Sequence, residues 1–396
     1  MNPKQFMLIA GEASGDMLAA ELVSALRGKL PDARFFGAGG SRMAAAGVDL
    51  TFDLTQHSVI GMSDVLKHYF KFRRLFNQLL KLAIERQPDA IIGVDYGGFN
   101  LRFGHAIKQY VRKNRSASTP WNPKIIQFVS PQVWASRPGR ANLLAADYDL
   151  LLSIFPFEKD WYAKRVPKLR VEFVGHPMIG RFVSEGRVTR VPDTEKLGTH
   201  RARPSEILLL PGSRKSELQR HLPPMLGALK LIREKLPDIR TKMILPDEAL
   251  KQLADKLSAL PSDTEIQTGN LPQALAQADV AIASTGTVTM ECAFFGVPTV
   301  TLYKTSWFTY QIAKRIVMVK SLTMPNLLAD EEVFPEFVQG AATPDHIAGA
   351  ALELLQNEPR RVQIKKRLAE VVSSLGGPGA NQRAASAILS LFETKR

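Results

Sequence analysis

The chain is poor in cysteine, in acidic residues and in long apolar runs. Its 396 residues include a single cysteine, Cys292, so neither a disulfide framework nor a cysteine-ligated metal is available, and a reducing compartment is expected. No apolar run approaches the ~18 residues of a membrane span. The opening MNPKQFMLIAGEASGD passes directly into an apolar segment and a glycine turn. It lacks the basic, long-apolar, small-residue order of a secretory leader, so a cytoplasmic protein that does not cross a bilayer is expected. Asp and Glu number 38 against 52 Lys and Arg, a formal net charge of +14. That balance favours anionic partners: nucleic acid, anionic lipid or phosphorylated small molecules. The basic residues are scattered and no RRM, KH or helix-turn-helix signature is visible, which argues against nucleic acid. No His, Cys or Asp cluster has metal-ligand spacing. Asp147 and Asp149 form a D-x-D, but it precedes its strand and is read as a decoy.

What is present is alternation. The length exceeds one ordinary core and predicts two domains. Apolar runs at Phe6–Ala10, Arg34–Gly37, Ala90–Val94, Lys124–Val129, Leu150–Phe155 and Val171–Val174 alternate with helical patterns. After a polar stretch, Ser184–Ser205, the alternation restarts at Ile207–Leu210, Lys242–Leu245, Val280–Ala283 and Thr299–Tyr303. Strand-helix alternation of this kind predicts an α/β chain with two doubly wound parallel sheets. Ligands of such sheets sit at the carboxyl ends of strands, and the cleft between two such domains is the natural site.

Several strand-end turns carry chemistry. In ILLLPGSRKSELQRHLPPML a strand meets a helix through Gly212-Ser213-Arg214. A helix start offers free N–H groups and the positive end of its dipole to an anion. Gly212 permits close approach, Ser213 can cap or touch an oxygen, and Arg214 can grip a phosphate through two bonds. An ordinary turn with a surface arginine is the competing reading. In VAIASTGTVTMECAFFGVPTV the turn Ser284-Thr285-Gly286-Thr287 is rich in hydroxyls, and Glu291 lies one turn into the following helix. Hydroxyls and N–H groups suit a diphosphate, and a carboxylate there can accept both ribose hydroxyls. Thr287 as N-cap would place Met290 where a capping box wants Glu, which favours a ligand role for Glu291. LIAGEASGDMLAAEL opens the first helix with Gly11, Ser14, Gly15 and Asp16, but the glycine spacing does not match a dinucleotide fingerprint. IIGVDYGGFN sets Asp95 directly after a buried strand, where it is either a general base or a turn cap. His176, in VGHPMIG, is either catalytic or structural. The stretch Asp64–Glu85 reads as an amphipathic helix. Its apolar face is Val65, Tyr69, Phe72, Phe76, Leu79 and Ala83; Leu66, Phe70, Leu75 and Leu82 are surplus, beside a basic stripe of Lys67, Lys71, Arg74 and Lys81. Such a helix suits an anionic membrane surface or, equally, a core with a solvated basic edge.

Taken together, AGEASGD, IGVDYGGFN, FVSPQVWA, FPFEKDWY, VGHP, LLPGSRKSE, STGTVTME and MPNLLADEEVFPEF occur in the order of one family and span residues 9 to about 337. The chain resembles the lipid-A-disaccharide synthases, bacterial glycosyltransferases of GT-B architecture. The resemblance implies two Rossmann-like domains facing a central cleft. Residues 1–185 would form an acceptor-binding domain joined by a C-terminal helix, 379–396, and residues 200–375 a UDP-sugar-binding domain. It implies inverting transfer of 2,3-diacylglucosamine from UDP-2,3-diacylglucosamine to 2,3-diacylglucosamine 1-phosphate, forming a β-1,6 bond and releasing UDP without a metal or other cofactor. Gly212, Ser213, Arg214 and Ser284–Thr287 would take UDP, with Glu291 on the ribose. Asp95 would be the base, and Glu12, Ser14, Gly15 and Asn326 would line the acceptor side. Leu66, Lys67, Phe70, Lys71, Arg74 and Leu75 would meet the cytoplasmic face of the inner membrane, as in a peripheral protein; a homodimer is left open. One departure stands out. The family pattern Asp-x-Pro-Asp-Phe-Asn carries a second aspartate where this chain has Gly98, which leaves Asp95 as the carboxylate of that turn. Rival readings are a UDP-sugar 2-epimerase, a lipid I glycosyltransferase, a descendant that has lost activity, and a basic nucleic-acid-binding protein.

Overall fold

The structure, a computed structural model, describes residues 3–54, 65–114, 121–184, 204–257, 261 and 263–393. Most of the polar stretch between 184 and 205 lies outside them. The chain forms two compact units: Met1–Gly180 with Leu375–Arg396, and Arg181–Ser374.

In unit 1 the strands are β1 (Gln5–Ala10), β2 (Arg34–Gly39), β3 (Asp49–Asp53), β4 (Ala90–Val94), β5 (Lys124–Phe128), β6 (Leu150–Ser153) and β7 (Val171–Phe173). They make one sheet in the order β3-β2-β1-β4-β5-β6-β7, with every pairing parallel. Central strands such as β4, all five residues buried, are apolar throughout because helices cover both faces. The helix Ala380–Leu389 at the end of the chain belongs to this unit and packs on the first helix, Ala13–Lys29. Asn381 donates to Glu21 at 3.1 Å, and the Phe392 ring stands edge-on to Phe6 at 6.2 Å.

In unit 2 the strands are β8 (Glu206–Leu210), β9 (Arg240–Leu245), β10 (Thr264–Thr268), β11 (Val280–Ser284), β12 (Thr299–Tyr303) and β13 (Glu336–Val338). Their order is β10-β9-β8-β11-β12-β13, again parallel throughout. The helix Lys215–Lys235 buries Leu218, Leu222, Met225, Leu229 and Ile232 along one side, the spacing that lays a helix on a sheet. Both sheets are therefore doubly wound, as the alternation predicts.

The helix Val65–Arg86 corrects one expectation. Leu75 is 8% exposed and sits in the core of unit 1 with Leu79 and Ala83, and Leu82 packs against that core. Four-residue steps from Leu75 to Ala83 make one inward stripe, so Leu75 is not a membrane contact. Arg74 is exposed. The side chains of Leu66, Lys67, Phe70 and Lys71 lie outside the described residues.

Candidate functional site

Each sheet has one switch point, where neighbouring strands lead their connections in opposite directions. It lies between β1 and β4 in unit 1 and between β8 and β11 in unit 2. Ligands of open α/β sheets bind at the carboxyl ends of those strands. The four turns there are Gly11–Gly15, Asp95–Gly98, Pro211–Arg214 and Thr285–Thr287, so the topology gathers the segments singled out from the sequence into two pairs.

In unit 2, β8 and β11 run in register, Leu210 beside Ala283, which brings their turns side by side. Gly212 has φ +127°, and a Cβ there would come within 2.6 Å of Glu217 Oε2. That same oxygen accepts the Ser213 N–H at 2.9 Å, and Arg214 Nη1 lies 3.7 Å from Glu217 Oε1. The helix start thus already holds a carboxylate from its own first turn, the favoured sign at that end of the dipole. The Ser213 N–H is engaged; the turn presents the Ser213 hydroxyl and the Arg214 guanidinium, both on exposed residues.

Across the switch point, the helix Thr287–Phe294 is capped by Gly286 rather than Thr287. Thr285, Gly286 and Thr287 are accessible, but Ser284 is buried as the last residue of β11, so its hydroxyl is withdrawn from the site and the expectation for it is corrected. Glu291 is half-buried. Burial pushes its carboxyl up to about 7, and the Arg181 guanidinium works against that rise.

His221 ties the Pro211–Arg214 turn to the backbone just beyond β12 and does not stand out in the sequence. Its ring is fully buried. Nδ1 lies 2.9 Å from the Pro211 carbonyl, and Nε2 accepts the Lys304 N–H, just beyond β12, at 3.0 Å. A carbonyl can only accept and an N–H can only donate, so the ring is neutral with its proton on Nδ1. Burial lowers its pKa in the same sense.

In unit 1 the turn after β4 is strained. Asp95 has φ +50° and Tyr96 φ +45°, two successive non-glycine residues in the left-handed region, each costing about 1–2 kcal/mol. The strain is held by two buried amides. Asn100 Nδ2 and Gln127 Nε2 each donate to the Asp95 carbonyl at 2.8 Å, while Asn100 Oδ1 and Gln127 Oε1 have no hydrogen-bond partner among the described residues. Gly93 leaves the room for them: a Cβ there would meet Gln127 Oε1 at 2.7 Å and Asn100 Cγ at 2.8 Å. Held strain of this kind makes the turn a candidate functional position.

Neighbouring segments close on that turn. A Cβ on Gly11 would lie 2.4 Å from the Tyr96 ring, one on Gly97 would lie 2.8 Å from Pro131, and one on Gly15 would lie 3.6 Å from Asp95 Cβ. Gly15 is buried and lets the first helix approach β4; it is not a surface an acceptor can touch, which corrects that expectation. Glu12 and Ser14 are half-buried, and the Glu12 charge, second to burial, raises the Tyr96 pKa. Asp16 is spent structurally, accepting the N–H groups of Gly40, Arg42 and Met43. Gly98 is exposed, and a Cβ there meets nothing within 4 Å.

The Ser130–Trp134 segment is held from below by Glu158, another residue without a marker in the sequence. Glu158 is fully buried; it accepts from Trp134 Nε1 at 3.0 Å, and burial pushes its carboxyl up to about 7 against hydrogen bonds led by Trp134 and Ser130. His176 is buried and its Nδ1 accepts the Met178 N–H at 3.2 Å.

Asn326 is a further correction. It lies in unit 2, is 1% exposed, and spends its whole amide inside: Nδ2 donates to Phe334 O and Glu336 Oε1, and Oδ1 accepts the Val333 and Phe334 N–H groups, all within 2.9 Å. With both donors and both lone pairs used, it clamps the 333–336 backbone and has nothing left for an acceptor. Asp147 and Asp149 are likewise spent, on His105, Arg112 and Lys108. Among the described residues no three His, Cys, Asp or Glu side chains converge as a metal-binding group.

Comparison with known proteins bears on the whole chain. The profile of the family described as "Lipid-A-disaccharide synthetase" matches residues 6–391. A lipid-A-disaccharide synthase from Trichlorobacter lovleyi is 36% identical over 393 residues, covering 99% of this chain and 98% of the relative. Among solved structures, a UDP-GlcNAc 2-epimerase from Neisseria meningitidis bound to UDP-GlcNAc aligns with TM-score 0.62 at 10% identity, covering 98% of this chain and 100% of that one. The calicheamicin glycosyltransferase CalG4 aligns with TM-score 0.58 at 15% identity over 100% of both chains. At such identities the two structures speak to the fold alone.

Proposed function

The chain belongs to the lipid-A-disaccharide synthetase family, and from that premise we propose that it transfers 2,3-diacylglucosamine from UDP to the 6-hydroxyl of 2,3-diacylglucosamine 1-phosphate, with inversion at the anomeric carbon. In this reading Asp95 takes the proton of the attacking hydroxyl. The new O6–C1 bond forms as the C1–O bond to UDP breaks, and the departing electron pair goes to the β-phosphate oxygen. Arg214 and the Ser213 hydroxyl meet the charge that develops there, beside the Thr285–Thr287 turn, and Glu291 accepts the ribose hydroxyls. Glu12 and Ser14 serve the acceptor. The fatty chains of both substrates place the enzyme at the cytoplasmic face of the inner membrane as a peripheral protein. One observation carries the reading: the family's segments leave the strands that flank the switch point of each sheet, with a strained, clamped aspartate on one unit and an arginine-bearing turn on the other.

The test is UDP release by purified protein from both substrates with EDTA present, for wild type and Asp95→Ala. Acceptor-dependent release that Asp95→Ala abolishes is expected. Donor turnover without acceptor would mean epimerase-like chemistry and sink the transfer reading. Release that survives Asp95→Ala would remove Asp95 from the role of base.

A further inference from the structure

Six of the nine large apolar side chains exposed among the described residues crowd into the stretch Trp307–Leu322 of unit 2. Trp307 and Phe308 are 72% and 60% exposed, and Ile312, Val317, Met318 and Leu322 accompany them. The helix Trp307–Ile316 buries none of its residues, yet it is a built element: Ser306 caps it, its hydroxyl accepting the Thr309 N–H at 3.2 Å. At about 100° per residue, the half-buried Thr309, Tyr310, Ala313 and Ile316 fall on one side. Lys314, Trp307, Arg315, Phe308 and Ile312 fall on the other, and all five are exposed. From Lys304 to Ala329 the sequence has four cations (Lys304, Lys314, Arg315 and Lys320) and no carboxylate.

We propose that Trp307–Leu322 is the surface by which this protein docks on an anionic bilayer. Apolar patches of this kind mark an interaction surface. A helix lying in a membrane interface buries aromatic and aliphatic side chains at the headgroup boundary while flanking cations pair with anionic lipid; Trp suits that boundary because its ring is apolar and its N–H is wet. A second copy of the chain fits less well, because a two-fold contact would set the exposed cations Lys314, Arg315 and Lys320 against their own copies. The segment departs from Lys304, whose N–H His221 accepts while its other ring nitrogen donates to the Pro211 carbonyl, so the docking helix is tied through His221 to the Pro211–Arg214 turn of the same unit. The purpose of the surface rests on the proposed lipid-linked substrates; its test does not.

That test is flotation of the full chain with vesicles of phosphatidylcholine mixed with phosphatidylglycerol, against vesicles of phosphatidylcholine alone. Binding to the anionic vesicles is expected. Trp307→Ser with Phe308→Ser should weaken it about tenfold or more, with the thermal midpoint kept because both side chains are exposed. Lys314→Gln, Arg315→Gln and Lys320→Gln together should remove most of its salt sensitivity. Trp307→Phe should keep binding but lose the quenching of tryptophan fluorescence by brominated lipid. Wild type that fails to float, or a Ser double variant that floats equally well, would overturn the proposal. So would a double variant that only turns a dimer into a monomer, which would make a second copy the occupant. UDP release from detergent-dispersed substrates should be untouched by the double variant; its absence in wild type would instead sink the transferase reading and leave the flotation result standing.

Discussion

His221 gives the sharpest test of how unit 2 is assembled. Its ring bridges the Pro211 carbonyl before the Arg214 turn and the Lys304 N–H beyond β12, at 2.9 and 3.0 Å, with no exposure to water. His221→Ala leaves one buried carbonyl and one partly buried N–H without their partner, costing up to about 1–3 kcal/mol each. Adding the cavity left by the ring, a loss of about 3 kcal/mol or more is expected. His221→Asn can keep the bond to Pro211 but not the reach to Lys304, so about half that loss is expected. Because burial lowers the histidine's pKa, the unfolded chain binds a proton near pH 6.5 that the folded chain refuses. Wild-type stability therefore falls as pH drops through that value, and the contribution is absent in His221→Asn. Denaturant titrations at pH 8 and pH 5.5, paired with calorimetric UDP affinity, read both effects. If the ring positions the donor turns, UDP affinity falls with stability in the Asn variant at a temperature where it is fully folded. An unchanged denaturation midpoint in His221→Ala would refute the bridging argument. A large stability loss with unchanged UDP affinity would make the ring structural only.

Arg214→Ala should weaken UDP binding by roughly tenfold, about 1.5 kcal/mol, since the guanidinium is half exposed and sits at the low end for a charged hydrogen bond; equal calorimetric affinities would remove it from the diphosphate. Glu291, its carboxyl pushed up to about 7, must ionise to accept ribose hydroxyls well, so UDP should bind tighter at pH 8 than at pH 6, and Glu291→Gln should flatten that dependence. The folded chain holds this proton longer than the unfolded one, so Glu291 costs stability as pH rises from about 4.5 towards 7. Glu291→Gln should therefore gain in thermal midpoint relative to wild type at pH 8 and not at pH 4, and parallel pH curves for the two would count against the burial argument. Gly98→Asp should fold at least as well as wild type, gaining about 0.5 kcal/mol from losing a glycine and placing an acid in the first turn of the helix Gly97–Lys113; a lowered thermal midpoint would show that the position is not open.

The parts of the fold legible in the sequence are those buried on both faces. β4 and β12 run Ala90–Val94 and Thr299–Tyr303, the bounds read from the sequence: β4 is apolar throughout, and β12 (TVTLY) is β-branched and aromatic apart from Leu302, with Thr299 and Thr301 buried. Three strands carry no such run: β3 (DLTFD), β10 (TEIQT) and β13 (EFV). All three are sheet edges, where one side needs no partner strand and polar residues are tolerated. The same logic explains the helix Val65–Arg86. Its surplus apolar residues look like a second face in the sequence, but Leu75 and Leu82 serve the core, and the direction of a stripe is set by what it packs against.

For the site, the turns were legible and their internal wiring was not. Glycines and hydroxyls at strand ends mark the turns, since only certain residue types tolerate their geometry. Which polar side chains are spent holding that geometry is a question of partners, and partners come from distant segments. Asn326 meets Phe334 and Glu336. Glu158 meets Trp134, which lies across the strand β6 in sequence order but beside it in the fold. Asp95 is the instructive case. An aspartate at a strand end is more often a cap than a base when read alone. Here its backbone is held in a costly left-handed turn by Asn100 and Gln127, in space that Gly93 leaves open. Main chain held rigidly by buried amides is a means of aiming the side chain, which is what the proposed role as base requires. The glycine at 93 and the amides at 100 and 127 were all in view along the sequence; only the fold shows them meeting around one carbonyl.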